Sequence, residues 1–100
     1  MFYVYILYSA TSDLYYVGYT KDYDQRVREH NQSLHSTFTS KHRPWDLKAV
    51  YFCGNDEKTA INMERFIKRQ KSRRLIAKLI KDGTFTGILA QLVRVPHVRD

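Results

Sequence analysis

The sequence predicts an α/β (α+β) domain in which a small three-stranded antiparallel sheet is flanked by helices. Two short runs rich in aromatic and β-branched residues follow each other at the start of the chain, and a third lies near its middle. Segments with helical periodicity follow the second and third runs. One hundred residues suffice for one modest hydrophobic core, so we expect a single domain.

The first two strands are predicted to form a hairpin. Residues 2–8 (FYVYILY) and 14–20 (LYYVGYT) are strand-like, and the short segment between them is typical of a turn. If residues 9–12 form the loop, Tyr5 lies directly opposite Tyr16, with ~5 Å between their Cβ atoms. Other loop lengths would offset the two tyrosines, so the register depends on the turn.

The first helix and the third strand follow the hairpin. Asp22 is a suitable N-cap for a helix that runs to about Gln32. Arg26 and His30 are four residues apart, which places them on one face of this helix. Residues 47–53 then read as the third strand.

Two further helices are predicted in the second half of the chain. Asn55 or Asp56 can cap the first of them, and its apolar residues recur at helical spacing. Glu64 lies at the edge of this apolar stripe. A break near Ser72 separates this helix from a strongly basic one.

The charge of the chain favours a polyanionic partner. Lys and Arg number 17 against 10 Asp and Glu, a net charge of +7, and the pI is near 9.7. Between Arg65 and Lys81 there are eight basic residues and no acidic one. Nucleic acid is the leading candidate, and the alternative is a solvated basic helix that only keeps the protein soluble. The residues predicted to contact phosphates are Lys41, Arg43, Lys68, Lys71, Arg73 and Arg74.

Cysteine content and hydropathy suggest where the protein works. Cys53 is the only cysteine, so no intrachain disulfide can form and a reduced, cytoplasmic setting is expected. No apolar stretch approaches the ~20 residues of a membrane helix, so we expect no membrane association. The oligomeric state is left open.

The order of motifs carries a family resemblance. Tyr-Val-Tyr at 3–5 is followed after ten residues by Tyr-Val-Gly at 16–18, then by the helix with Arg26 and His30 and, later, by the helix with Glu64. In this order the chain resembles the GIY-YIG nuclease family, in particular its small single-domain members. It is also similar to the N-terminal incision domain of bacterial excision-repair nucleases.

The resemblance implies divalent-metal-dependent hydrolysis of DNA phosphodiester bonds, with a role in DNA repair or recombination. Tyr5 matches the tyrosine proposed to activate water, and Tyr16 matches its partner on the next strand. Arg26 matches the arginine that contacts the scissile phosphate. Glu64 matches the carboxylate that holds Mg²⁺ or Mn²⁺, and His30 matches a histidine found in many members.

The chemistry of these residue types agrees with that assignment. A guanidinium can grip two phosphate oxygens, and one carboxylate with waters suits a hard cation. A phenol with a pKa of about 10 is a poor base at neutral pH. We therefore expect Tyr5 to work only inside the cluster, with His30 or Tyr16 sharing its proton. This requires that Tyr5 is not sealed in the interior and that Glu64 does not point away from Arg26.

Each residue also has a plain structural interpretation. Tyr5 and Tyr16 could be ordinary cross-strand neighbours, and His30 could pack the end of its helix. Gly18, the glycine of the second motif, permits a close backbone approach or a strand kink. Glu64 could pair with Lys68 in a helix salt bridge worth a few tenths of a kcal/mol.

The chain departs from the family pattern by conservative changes of isoleucine to valine in both motifs, at Val4 and Val17, and at two further places. Tyr3 stands where the first motif has glycine, and no asparagine follows Asn62 to supply the amide that many family nucleases carry. The alternative function is therefore a non-catalytic nucleic-acid-binding module on the same scaffold. A third possibility is a domain that acts through a protein partner.

Domain limits and substrate preference follow from the same residues. Residues 1–82 are predicted to form the GIY-YIG-like nuclease domain, and residues 83–100 a C-terminal extension that joins the same domain or is partly disordered.

No helix-turn-helix or zinc finger is present to read bases. We therefore expect low sequence specificity and a DNA partner that is branched, nicked or single-stranded.

Overall fold

A computed structural model of the protein describes residues 1–33, 37–81, 89 and 92–96. The described elements form an α+β fold in which helices flank an antiparallel sheet, as the sequence predicts. In chain order they are β1 (Tyr3–Ser9), β2 (Leu14–Thr20), α1 (Tyr23–Gln32), a 3₁₀ helix (Thr39–His42), β3 (Asp46–Phe52), α2 (Glu57–Arg69), α3 (Arg73–Lys81) and β4 (Val93–Arg94).

The sheet has four strands in the order β2-β1-β3-β4, so the prediction of three strands is corrected. The additional strand, β4, lies in the segment predicted as a C-terminal extension. Phe52 pairs with Val93 and Tyr51 with Arg94, and the Val95 amide donates to the Val50 carbonyl at 2.9 Å. A two-residue strand has no periodicity of its own, so the sequence carries no signal for it.

The central strand β1 is buried on both faces. Val4 and Ile6 belong to the core that α2 and α3 cover, whereas Tyr5 and Leu7 belong to the core on the α1 side. All four are at most 1% exposed. An apolar run without polar alternation is typical of such a strand.

The register of the hairpin differs from the predicted one by two residues. Tyr5 pairs with Gly18, and Tyr16 pairs with Leu7. The loop runs from residue 10 to residue 13, because Ser9 still pairs with Leu14 and Asp13 adopts a left-handed conformation with φ 53°. A shift of two residues keeps every side chain on its face. Tyr5 and Tyr16 are therefore diagonal neighbours, with ring centroids 6.3 Å apart.

The predicted helix starts are confirmed. Asp22 caps α1 by accepting a hydrogen bond from the Gln25 amide at 3.1 Å, and Asp56 caps α2 by accepting one from Lys58 at 3.0 Å. Ser72, at the predicted break, accepts one from Leu75 at the start of α3.

No helix in the described part of the chain has the length and apolar character needed to cross a lipid bilayer.

Gly18 leaves room for the ring of Tyr5. A Cβ atom built on Gly18 would lie 2.5 Å from Oη of Tyr5 and 2.6 Å from its Cζ. Both atoms belong to a side chain that is 1% exposed. Of the two interpretations of this glycine, the close approach therefore applies.

Gly18→Ala should destabilise the fold by about 1–3 kcal/mol, because the new methyl group overpacks against Tyr5. Urea unfolding measures the loss. In the background Tyr5→Leu, which lacks the clashing ring atoms, the same substitution should cost clearly less, and a double-mutant cycle gives the coupling. Equal costs in both backgrounds would show that Tyr5 does not constrain Gly18.

Candidate active site

A cavity of about 470 Å³ lies between the hairpin, α1 and the 3₁₀ helix. Three of the five predicted catalytic residues line it: Tyr16 from β2 and Arg26 and His30 from α1. The helical spacing of Arg26 and His30 brings both side chains to this side of α1. The complete lining is Tyr16, Arg26, Glu29, His30, Ser33, Thr37, Phe38 and Thr39.

A buried hydrogen-bond chain runs behind the cavity. Oη of Tyr5 lies 2.8 Å from Nε2 of His30, and Nδ1 of His30 lies 2.9 Å from Oγ1 of Thr39. His30 and Thr39 are each 6% exposed. Because all its ring nitrogens have partners, His30 is held in one orientation at the cavity wall.

Burial controls the protonation of this chain. It raises the pKa of Tyr5 to about 12, with a further rise from Tyr16 and an opposing effect of the Arg26 charge. Burial also lowers the pKa of His30 to about 4, and the Arg26 charge adds to this. At neutral pH both groups are therefore uncharged, and the imidazole has one N–H donor and one acceptor nitrogen.

The burial of Tyr5 does not meet the requirement set by the sequence analysis. Its side chain is 1% exposed, and its hydroxyl contacts His30 and also interacts with the side chain of Arg26, which lines the cavity. A phenol with a raised pKa is also harder to use as a base. Direct activation of water by Tyr5 therefore stays a prediction, and Tyr16 is the phenol that lines the cavity.

Glu29 is a residue of the site that was not predicted from the sequence. Its carboxylate accepts a hydrogen bond from Nη1 of Arg26 at 2.7 Å, and the two side chains are 43% and 41% exposed. Glu29 follows Arg26 by three residues on α1, and residues at this spacing contact each other on a helix, so the sequence contained a signal for the pair. A phosphate that binds Arg26 must compete with this carboxylate.

Glu64 is not part of the lining of this cavity. Nζ of Lys68 lies 3.5 Å from its carboxylate, so the predicted helix salt bridge is present, and the same Nζ lies 5.3 Å from the ring centroid of Tyr16. The charge of Glu64 also contributes to the raised pKa of Tyr5. Glu64 is therefore already paired with a cation, and that cation contacts the ring of Tyr16.

Few side chains of the site could serve as ligands for a divalent cation. Among the described residues, no three His, Cys, Asp or Glu side chains are grouped to hold a metal ion. One carboxylate, Glu64, is a hard oxygen donor of the kind Mg²⁺ and Mn²⁺ accept, with waters and substrate oxygens as further ligands. Such an ion would displace Lys68 from Glu64.

Two predicted phosphate contacts have structural partners instead. Arg43 donates from Nε to the His30 carbonyl at 2.6 Å and from Nη2 to the Ser33 carbonyl at 2.7 Å, which caps the end of α1. Arg73 donates to Asp13 at the hairpin turn, at 2.8 and 2.9 Å. Both side chains are thus engaged within the fold, and their contact with phosphates stays a prediction. The remaining predicted contacts are exposed: Lys41, Lys68, Lys71 and Arg74.

The lowered pKa of His30 predicts an acid-sensitive fold. Because the unfolded state binds a proton near pH 6.5 and the folded state only near pH 4, stability is lost as the pH falls through this window. Between pH 7 and pH 5 we expect a loss of about 2 kcal/mol from this group. Urea unfolding at both pH values measures it. His30→Gln should remove most of this dependence, and an unchanged dependence would assign it to other groups.

Comparison with known proteins gives the family. A model of the GIY-YIG catalytic domain matches residues 1–78. A UPF0213 protein of Haloquadratum walsbyi is 38% identical over 83 residues, which cover 82% of this chain and 89% of that protein. The "UPF0213 protein in ldhD 5′ region" of Pediococcus acidilactici is 33% identical over 84 residues, 82% of this chain and 84% of that protein.

A third relative is named for an activity. The structure-specific endonuclease subunit SLX1 of Cryptococcus neoformans is 36% identical over 58 residues, 56% of this chain. The chain spans only 12% of the length of that subunit. The match to the domain, in contrast, includes every predicted catalytic residue and most of the chain. This protein therefore belongs to the GIY-YIG catalytic domain family.

Proposed function

We propose that this protein is a divalent-cation-dependent DNA endonuclease of low sequence specificity. The observation that carries the proposal is the convergence of Tyr16, Arg26 and His30 on one cavity. It is supported by membership of a catalytic-domain family and by the net charge of +7. A relative named as a structure-specific endonuclease subunit supports a preference for branched over simple duplex DNA. A role in DNA repair or recombination would fit such a substrate.

Arg26 is assigned to the scissile phosphate. Hydrolysis forms a bond from the oxygen of water to phosphorus and breaks the bond from phosphorus to the sugar oxygen, with negative charge on the nonbridging oxygens. The guanidinium of Arg26 can bind two such oxygens once Glu29 releases it. The phosphate would take the place of the Glu29 carboxylate, so Arg26 keeps an anionic partner throughout.

Tyr16 is assigned to the attacking water, whose proton ends on the released sugar oxygen, and His30 is assigned to the cavity wall, because both its ring nitrogens are already bonded to Tyr5 and Thr39. Tyr16 lines the cavity, and His30 is uncharged at neutral pH because burial lowers its pKa. Tyr5 is assigned a positioning role, since its hydroxyl holds the imidazole from behind. A Mg²⁺ or Mn²⁺ ion at Glu64 would supply charge stabilisation to the phosphate and the leaving oxygen.

Two observations favour a second candidate, a nucleic-acid-binding module without catalysis. Tyr5 is buried, and Glu64 is paired with Lys68. Neither feature weakens electrostatic binding of a phosphate backbone, which needs only exposed cations. The two candidates therefore share an affinity for DNA and differ in cleavage.

Nicking of a supercoiled plasmid separates the candidates. We expect nicking with Mg²⁺ or Mn²⁺ and none with EDTA. Glu64→Gln should slow nicking on the order of 10²–10³-fold, equal to several kcal/mol of lost charge stabilisation. Glu57→Gln, on the first turn of the same helix, is the matched control and should stay within about twofold. DNA binding without metal-dependent nicking would establish the binding module.

Substitution of the two phenols tests their separate roles. Tyr16→Phe should lower kcat by about 10²-fold with little change in stability, because this hydroxyl acts in the cavity. Tyr5→Phe should also lower kcat, but with a loss of about 1–3 kcal/mol in stability, because Nε2 of His30 is left unpaired in the interior. The pH–rate profile of Tyr5→Phe should also shift, because the His30 imidazole loses its hydrogen bond to the Tyr5 hydroxyl. Unchanged cleavage by Tyr5→Phe would remove Tyr5 from the mechanism.

A further inference from the structure

A second concave surface runs along the outer edge of the sheet. It has a volume of about 360 Å³ and is walled on one side by residues 14–17 of β2. The opposite wall is formed by the end of α2 and the start of α3, from Ile67 to Ile76. β2 is the edge strand on this side of the sheet. Tyr16 lines both this groove and the catalytic cavity, so the two lie on either side of one side chain.

Cations and aromatic rings alternate along the groove. Nζ of Lys68 lies 5.3 Å from the ring centroid of Tyr16, and the guanidinium of Arg73 lies 5.1 Å from that of Tyr15. Asp13 fixes the Arg73 guanidinium with two hydrogen bonds. A fixed guanidinium plane over a tyrosine is a surface on which a nucleobase can stack.

Lys71 adds an unusual backbone feature. It directly follows Gln70, the C-cap of α2, and has a left-handed conformation with φ 48°. Glycine is the residue that favours this position at the end of a helix, because a side chain there is strained. The side chain that occupies it is a lysine that lines the groove and is exposed. A cation is thus kept where backbone preference alone would select glycine.

We propose that this groove binds an unpaired nucleotide of single-stranded DNA next to the scissile phosphate. This proposal rests on the proposed nuclease function. It specifies where the enzyme holds the DNA strand, namely in the groove beside its cavity. Lys68 and Lys71 take the phosphate charge, and the guanidinium of Arg73 with the tyrosines takes the base. The volume lies near the lower end of the range for small-molecule sites, roughly 300–1,000 Å³, which suits one nucleotide.

A flat basic face would behave differently from this groove. Contacts to phosphates alone bind duplex and single strands through the same charges. A recessed stacking site can accept only a base that is free of its partner, because paired bases are covered by their neighbours. The groove therefore predicts a preference for DNA with an unpaired segment, in contrast to the blunt duplex.

Binding can be measured without catalysis, so the outcome does not depend on whether the protein cleaves. Fluorescence anisotropy in EDTA gives dissociation constants for (dT)₁₂ and for a blunt 20-bp duplex, at equal salt. Lys71→Gly removes the cation and the backbone strain together. We expect it to weaken (dT)₁₂ binding 3–10-fold and duplex binding less than twofold, with an equal or higher melting temperature. Lys58→Ala, on the first turn of α2, is the matched control, because it also removes one exposed lysine. It should change the dissociation constants of both DNA ligands equally.

Titration of the ¹⁵N-labelled protein with (dT)₄ locates the ligand. We expect the largest amide shifts at Tyr15, Val17 and Ser72 along the groove. Equal weakening of both DNA ligands by Lys71→Gly, unchanged (dT)₁₂ binding, or shifts confined to the cavity residues would each overturn the proposal. Absent plasmid nicking, with the binding results as expected, would overturn the nuclease function and leave the groove assignment standing.

Discussion

The close contact between the ring of Tyr5 and the backbone of Gly18 is the constraint on which the site depends. Only a residue without a side chain lets the phenol lie across β2, since a Cβ there would be 2.5 Å from the hydroxyl. In this position the hydroxyl reaches His30, which in turn reaches Thr39. The backbone carbonyl of Thr39 accepts from Nε1 of Trp45 at 2.8 Å. One absent methyl group therefore allows a chain of buried polar groups to be satisfied, and such groups are costly when they are not.

That polar chain also holds the segment between α1 and β3. Asn31 exchanges two hydrogen bonds with the backbone of Trp45, at 2.7 and 3.0 Å, and Arg43 binds the carbonyls at the end of α1. The cavity wall that carries Thr39 is thus attached both to the helix and to the sheet. We infer that its shape is set by the fold itself, as expected for a site that must orient reacting groups before they react.

Local features were predictable from the sequence, and features set by distant partners were not. Asp22 and Asp56 were identified as helix caps because capping involves residues two or three apart. The hairpin register depends on the left-handed conformation of Asp13, which no residue pattern specifies. The carbonyl partners of Arg43 come together only in the fold, so the sequence did not indicate them. Tyr5 was placed on the correct face, but its burial follows from packing against α1, which the strand pattern cannot reveal.

The pair formed by Arg73 and Asp13 has a mechanical consequence. It joins the first residue of α3 to the tip of the hairpin, 60 positions away in the chain. Tyr16 lies only three residues beyond that tip. Both side chains are more than half exposed, 57% and 69%, so salt weakens this mechanical link between the basic helix and the strand that carries the phenol.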